Sequence, residues 1–438
     1  MVIFITLVAI IVVAFFVLSR KEKSPNTQNN GLNTNIIDDK NIKIVHVTDI
    51  HYLSPSLTDY GKSFVDTIEK SDGKMMRYID QIMDAFVLEM IRIKPDLVIV
   101  SGDMTYNGEK ESHIGLANKF KLLKDKGIKV LVLPGNHDLE NERAMVFEGH
   151  ATRPVETVTI EEFEEIYKDY GYGKDDPDVV SRDKKSLNYV YQLGNKYHLI
   201  MVETSTKGND QTISNSSYRW IEKWLRKAKD MNMRVIGVSH QNILAHNKLF
   251  IAGYKITNSS RLVDLYNKYN VRINLSGHMH IQHMAEHKRV HDIALACLGL
   301  YPNLYGVLDM DLRNNMTYHT ESLDVAYWMK KYKHQDSDLL DFENTSRGYF
   351  VRCTRLQTEK QLAKLDLSKE DKEMMMDFMV DTNIHYFSGS LDKRPDLSLD
   401  NPAYKLWMDH CERTFTGSYL NSIYTDTISD HNRLEIFQ

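Results

Sequence analysis

Residues 129–138 read KVLVLPGNHD. Val130 to Leu133 form a short apolar run with no polar break, as in a strand buried on both faces, and Pro134-Gly135 ends it in a sharp turn. Asn136, His137 and Asp138 follow, so oxygen and imidazole donors stand just past the carboxyl end of a strand. The same arrangement recurs along the chain. IKIVHVT (42–48) runs into Asp49 and His51, and LVIVS (97–101) runs into Gly102 and Asp103. RVIGVS (234–239) runs into His240, and VRINLS (271–276) runs into Gly277, His278, Met279 and His280. A further strand is expected at 198–203, and helices are expected at 75–94, 116–126, 218–230 and 261–269. This alternation predicts α/β units with mostly parallel strands. In open α/β sheets ligands sit outside the carboxyl ends of the strands, so these five strand ends present their donors to one crevice.

After residue 289 the runs IALACL (293–298) and YGVLDMDL (305–312) read as strands that close the sheet with antiparallel pairs. Residues 325–438 are rich in Met, Lys, Asp and aromatics at helical spacing, which predicts a helical C-terminal region. No internal repeat is visible. The resulting division is 1–19 as membrane anchor or signal, 20–40 as tether, 41–324 as catalytic domain and 325–438 as helical region. The first segment contains the apolar run VIFITLVAIIVVAFFVL (2–18), at the short end of a bilayer-spanning helix. It lacks a basic start and an A-x-A-like cleavage site, which favours an uncleaved single-pass anchor in the cell membrane over a cleaved signal. The basic cluster after it points to the cytoplasmic side without deciding the matter. SPNTQNNGLNTN (24–35) is polar and Asn-rich and reads as a flexible tether.

Composition narrows the function classes. A formal net charge of −5 argues against a nucleic-acid partner, whose phosphate backbone is gripped by clustered Lys and Arg. The three cysteines, Cys297, Cys353 and Cys411, are scattered and odd in number, so they build neither a disulfide framework nor a thiolate metal site. Burial as small hydrophobes is their expected fate. The donors at the strand ends are carboxylate, amide oxygen and imidazole without thiolate, a set that suits divalent Mn, Fe or Zn in a reactive site. Glycines before Asp103, Asn136 and His278 let the backbone turn where a Cβ would crowd the metals. A shared carboxylate is the expected bridge between two ions.

D-x-H, G-D, G-N-H-D, a lone His and G-H-x-H, in that order over residues 41–310, resemble the calcineurin-like metallophosphoesterase superfamily. The resemblance implies a four-layer double β-sandwich flanked by helices and a site holding two divalent metals. It implies that Asp49, His51, Asp103 and His280 hold one ion and that Asp103, Asn136, His240 and His278 hold the other. His137 corresponds to the family's histidine that contacts the phosphoryl group and protonates the leaving oxygen. The expected chemistry is in-line attack by a hydroxide held between the metals on a small phosphoester.

One position departs from the family pattern. The second motif is often G-D-x-x-D, whereas Tyr106 stands at the last place here, leaving Asp138 or a backbone carbonyl to orient His137. An iron-binding phenolate at Tyr106 is the other reading. Within the superfamily, TDIHYLSPSLTDYG (48–61), SDGKM (71–75) and SGDMTYNGEKESH (101–113) resemble bacterial class III cyclic-nucleotide phosphodiesterases of the Listeria type. That resemblance implies 3′,5′-cyclic nucleotides as substrates, with Asn107 and His113 as candidates for substrate or supporting contacts. Alternatives are a phosphomonoesterase or nucleotidase, a cell-envelope phosphodiesterase, and a membrane-anchored binding module. The expected partners are the small phosphoester and a lipid bilayer, with no nucleic acid and no identifiable protein. His150, His246, His287, His291, His385, His410 and His431 belong to no motif and are expected at the surface or in packing.

Overall fold

The computed structural model describes residues 40–70, 73–206 and 211–437. The expected anchor and all but the last residue of the expected tether lie outside the described residues. Among the described residues no helix is long and apolar enough to cross a membrane.

The strands of the described residues form two large sheets and a hairpin. The first sheet has the order β15-β14-β13-β1-β2-β3. Its members are β1 (Ile42–Val47), β2 (Leu97–Val100), β3 (Lys129–Val132), β13 (Leu304–Met310), β14 (Met316–Ser322) and β15 (Arg433–Ile436). The second sheet has the order β11-β12-β10-β9-β8-β7-β6. It comprises β6 (Val179–Arg182), β7 (Tyr189–Leu193), β8 (Tyr197–Val202), β9 (Arg234–Ser239), β10 (Ile273–Ser276), β11 (His283–His287) and β12 (Val290–Ala294). A separate hairpin pairs β4 (Met145–Glu148) with β5 (Ala151–Pro154).

The central strands are parallel, as the buried aliphatic runs require: β1 with β2, β2 with β3, β8 with β9, and β10 with both β9 and β12. Antiparallel pairs close both sheets, among them β1 with β13 and β11 with β12. One core cluster joins Val45, Ile99 and Leu131 of the first sheet to Leu199, Ile236 and Leu275 of the second. Helices Ile79–Ile93 and Lys110–Lys124 add Phe86 and Phe120 to that cluster, while Asn215–Asp230 and Ser260–Tyr269 cover a second cluster against β8 and β9. The result is the four-layer sandwich with flanking helices that the family resemblance implies. Each fully buried Phe or Leu contributes ~1.5–3 kcal/mol of transfer free energy, which fixes the sheets and leaves the loops at their ends to carry the site.

Three features differ from expectation. The run 293–298 stays in the sheet only to Ala294, and Leu295 and Ala296 pack with Leu304 in a small cluster. The hairpin 145–154 was not anticipated, since its second strand, ATRP, is exposed and carries no alternation. The helical region does contain Val325–Tyr332, Phe342–Leu362, Lys369–Phe387, Pro402–Cys411 and Phe415–Tyr424, but the chain then returns as β15 beside β14. Four residues, RLEI, are too few for a period-2 signal to stand out. All three cysteines are free and buried, as expected.

Candidate metal centre

The parallel register of β1, β2 and β3 brings their carboxyl ends level, and β9 and β10 end against them from the other sheet. The loops that leave these strands are bent in an unusual way. Asp49, His51, Asp103, His278 and His280 all have φ between 46° and 69°, a left-handed conformation that costs an ordinary residue ~1–3 kcal/mol. Main-chain bonds between loops hold them there: Asp49 N–H donates to the Gly102 carbonyl at 3.0 Å, His51 to Asp103 at 2.9 Å, and Gly277 to His240 at 3.0 Å. Two glycines are required by close approach. A Cβ at Gly135 would overlap the Asp103 carboxylate and lie 2.8 Å from His240 Nε2; one at Gly277 would overlap the Thr48 hydroxyl.

Bent in this way, the loops bring all seven candidate ligands together. Asp49, His51, Asp103 and His280 form one group of donors, Asp103, His240 and His278 a second, with the ligand atoms of each group within 4.8 Å of one another. Asp103 belongs to both. Its Oδ1 lies 3.2 Å from His240 Nε2, and its Oδ2 lies 3.9 Å from His51 Nε2. Asp49 Oδ1 lies 3.2 Å from His280 Nε2 and 3.9 Å from His51 Nε2. Asn136 joins the second group through its Oδ1, 3.2 Å from His240 Nε2.

Two observations show that this donor set fits cations. Asp49 Oδ1 is fully buried and makes no well-aligned hydrogen bond, facing only the His280 and His51 ring nitrogens, while Oδ2 of the same carboxylate accepts from His278 N–H and the Thr48 hydroxyl, both at 2.8 Å. The outer ring nitrogens are also committed: His240 Nδ1 donates to the Ser101 carbonyl and His278 Nε2 to the Gly253 carbonyl, each at 2.9 Å. The inner nitrogens, His240 Nε2 and His278 Nδ1, 3.2 Å apart, are therefore the ones left to face a cation. Electrostatics agree at His51 and Asp103, whereas at His240 burial is outweighed by the Asp103 carboxylate, which pushes the imidazole up to about 9, so a cation there would displace a proton. Burial, then the Lys74 charge, holds His51 well below the usual imidazole range. Burial alone would raise Asp103, but the surrounding imidazoles, His240 first, hold it well below the usual carboxylate range. A neutral imidazole and an ionised carboxylate are the forms that bind metal.

His137 stands at the mouth, 26% exposed, with Nε2 4.0 Å from Asp103 Oδ2. Its Nδ1 donates to the Tyr106 carbonyl at 2.8 Å and lies 3.0 Å from Asn107 Oδ1. Backbone replaces the carboxylate that the family often places here. The Tyr106 ring packs against Phe147, within an apolar cluster that includes Leu53, Leu57 and Phe64.

One sequence expectation, for Asp138, is corrected, and one, for His113, is narrowed to its supporting alternative. Asp138 is fully buried, and its carboxylate accepts from Gly135 N at 2.7 Å, Thr105 N and Thr105 Oγ1 at 2.9 Å, and Met104 N at 3.2 Å. It ties the 103–106 loop to the 134–138 turn and does not touch His137 through its side chain, so it is a positioning residue and not a catalytic one. His113 is also fully buried, accepting from Tyr167 Oη at 2.9 Å and donating to the Asp138 carbonyl at 2.8 Å. It supports the same turn from behind and cannot meet a substrate. Lys74, 6% exposed, is the residue sequence reasoning missed. It lies in the SDGKM stretch, and only its proximity to His51 gives it meaning.

A crevice of this kind, five strand ends of a double sandwich converging on imidazoles around a shared carboxylate, defines a metal-dependent phosphoric ester hydrolase. Residues 42–282 match the family described as "Calcineurin-like phosphoesterase", and the chain belongs to it. Residues 324–430 match the C-terminal domain of cyclic nucleotide phosphodiesterase. A relative from Arcobacter nitrofigilis, named "Probable glycerophosphodiester phosphodiesterase", is 24% identical over 300 residues, which span 66% of this chain and 89% of that protein. Among solved structures, a dimetal phosphatase from Danio rerio is similar at 12% identity with a TM-score of 0.46, over 64% of this chain and 96% of that one. A purple acid phosphatase from yellow lupin seeds is similar at 13% identity with a TM-score of 0.40, over 64% of this chain and 51% of that one.

Proposed function

We propose that this enzyme hydrolyses phosphodiesters, 3′,5′-cyclic nucleotides in particular, at a two-metal centre held by Asp49, His51, Asp103, Asn136, His240, His278 and His280. The observation that carries the reading is the position of Asp103, whose two oxygens face histidines of different donor groups. When bound, divalent cations there supply charge neutralisation for the phosphoryl oxygens and acidify the attacking water. The protein's own part is orientation and proton transfer. The imidazoles and carboxylates fix the site's geometry, and His137, oriented through Nδ1, delivers a proton from Nε2 to the departing alkoxide.

The cyclic-nucleotide reading draws support from the C-terminal match, since residues 324–430 are similar to a domain of cyclic nucleotide phosphodiesterase. A second reading, glycerophosphodiesters as substrates, is favoured by the Arcobacter relative. Steady-state assays of the metal-loaded protein on 3′,5′-cyclic nucleotides, glycerophosphodiesters and simple monoesters separate them. A higher kcat/KM on cyclic nucleotides supports the first reading; preference for either other class rejects it. Residues 2–18 are proposed to anchor the enzyme in a membrane. Recovery in the membrane fraction with an intact N-terminus supports this, and a processed N-terminus near residues 21–30 rejects it.

A further inference from the structure

Directly beside the centre lies a cavity of about 350 Å³, within the ~300–1,000 Å³ range of small-molecule sites. Its floor is made by His278 and His280, so whatever is attached to a phosphoryl group at the centre has this space next to it. One wall is Phe250 and Tyr254, from the loop after β9. The other is Tyr386, Phe387 and Tyr419, from the helical region. No Asp, Glu, Lys or Arg lines the cavity.

The walls are held in place relative to the ligands. Tyr254 lies with its ring 5.4 Å from that of His278, and the Gly253 carbonyl accepts the His278 Nε2 proton. Phe250 lies 5.1 Å from Tyr254 and 6.2 Å from Tyr419 between ring centres. The loop is clasped to the helices by Asn247, whose amide donates to Tyr386 Oη at 2.9 Å and to Ser422 Oγ at 3.0 Å. Tyr419 Oη donates to Asn383 Oδ1 at 2.8 Å. The helical region thus completes a pocket that the catalytic sandwich alone leaves half built.

We infer that this cavity is the subsite for the heteroaromatic base of a nucleotide, and that the helical region sets specificity through it; the inference rests on the phosphodiesterase reading above. Aromatic faces attract any base, because every base has a π-face. An aromatic pocket also suits a quaternary ammonium group, but the lining here carries no carboxylate to balance that charge.

The test is equilibrium binding to the full-length, metal-loaded protein, with adenosine 5′-monophosphate, ribose 5-phosphate and phosphocholine as probes. The base-bearing ligand should bind at least about tenfold tighter than ribose 5-phosphate, the scale of one base–aromatic stack. Phe250→Ala should remove most of that ratio and Phe250→Trp should keep it. Equal affinities for the two phosphates, a ratio untouched by Phe250→Ala, or tightest binding of phosphocholine would overturn the assignment. A tenfold preference in an enzyme that does not hydrolyse cyclic nucleotides leaves the subsite standing and rejects the proposed substrate. Equal affinities in an enzyme that does hydrolyse them reject the subsite alone.

Discussion

The ring Nδ1 of His137 lies 2.8 Å from the carbonyl oxygen of Tyr106. The residue that breaks the family's G-D-x-x-D pattern therefore supplies by its backbone the contact that the missing carboxylate would have made. A carbonyl accepts the Nδ1 proton as a carboxylate would, and leaves Nε2 facing the site. His137→Ala should lower kcat on a 3′,5′-cyclic nucleotide, whose leaving group is a poor alkoxide, by ~10²–10⁴. The loss on bis-nitrophenyl phosphate should be much smaller, since nitrophenolate leaves without a proton. Equal losses on both substrates would mean that His137 binds the phosphoryl group and does not transfer a proton.

Tyr106→Phe keeps that carbonyl and should keep kcat/KM within about twofold. If the phenol were an iron ligand, the substitution would remove activity and a visible charge-transfer band together. The packing of the ring against Phe147 predicts neither.

Asp138→Asn replaces a carboxylate that accepts from three backbone N–H groups with an amide that points donors at some of them. Leaving buried donors unmatched costs ~1–3 kcal/mol, to be read as a lower denaturation midpoint. Activity should fall with it, because the 134–138 turn carries both Asn136 and His137. Full stability in the variant would contradict the role assigned to Asp138.

What could be read from the sequence, and what could not, follows from how local each signal is. The strand-end donors were legible because a buried parallel strand is a continuous apolar run and the donor follows it within a few residues. The shared position of Asp103 was legible only through resemblance, since nothing local to GDMTYNG says that two groups of donors meet there. Asp138 was misread, and the choice between the two roles of His113 stayed open, for the same reason. Their partners, Met104 and Thr105 for one and Tyr167 for the other, come from separate segments, and burial decides between support and catalysis. The pocket walls were invisible, because Phe250, Tyr254 and Tyr419 sit on helices and loops with no motif.

Glu109 gives a pH-dependent prediction away from the donors. It is fully buried, and burial raises its carboxyl to about 7. The folded protein then holds a proton that the unfolded chain has lost, so stability falls as pH rises from about 4.5 to about 7. Glu109→Gln removes that dependence while leaving an oxygen to accept the Asn107 N–H. The variant should match the wild type below pH 4.5 and exceed its stability by ~3 kcal/mol at pH 8. Parallel denaturation curves at all pH values would reject this.

Metal content measured on purified, metal-reconstituted protein tests the central claim most directly. Two equivalents per chain are expected in the wild type. Asp103→Ala should lose both, because its carboxylate belongs to both donor groups, whereas His51→Ala should lose mainly one. One tightly held equivalent in fully active enzyme, or two retained by Asp103→Ala, would contradict a centre built around a shared Asp103.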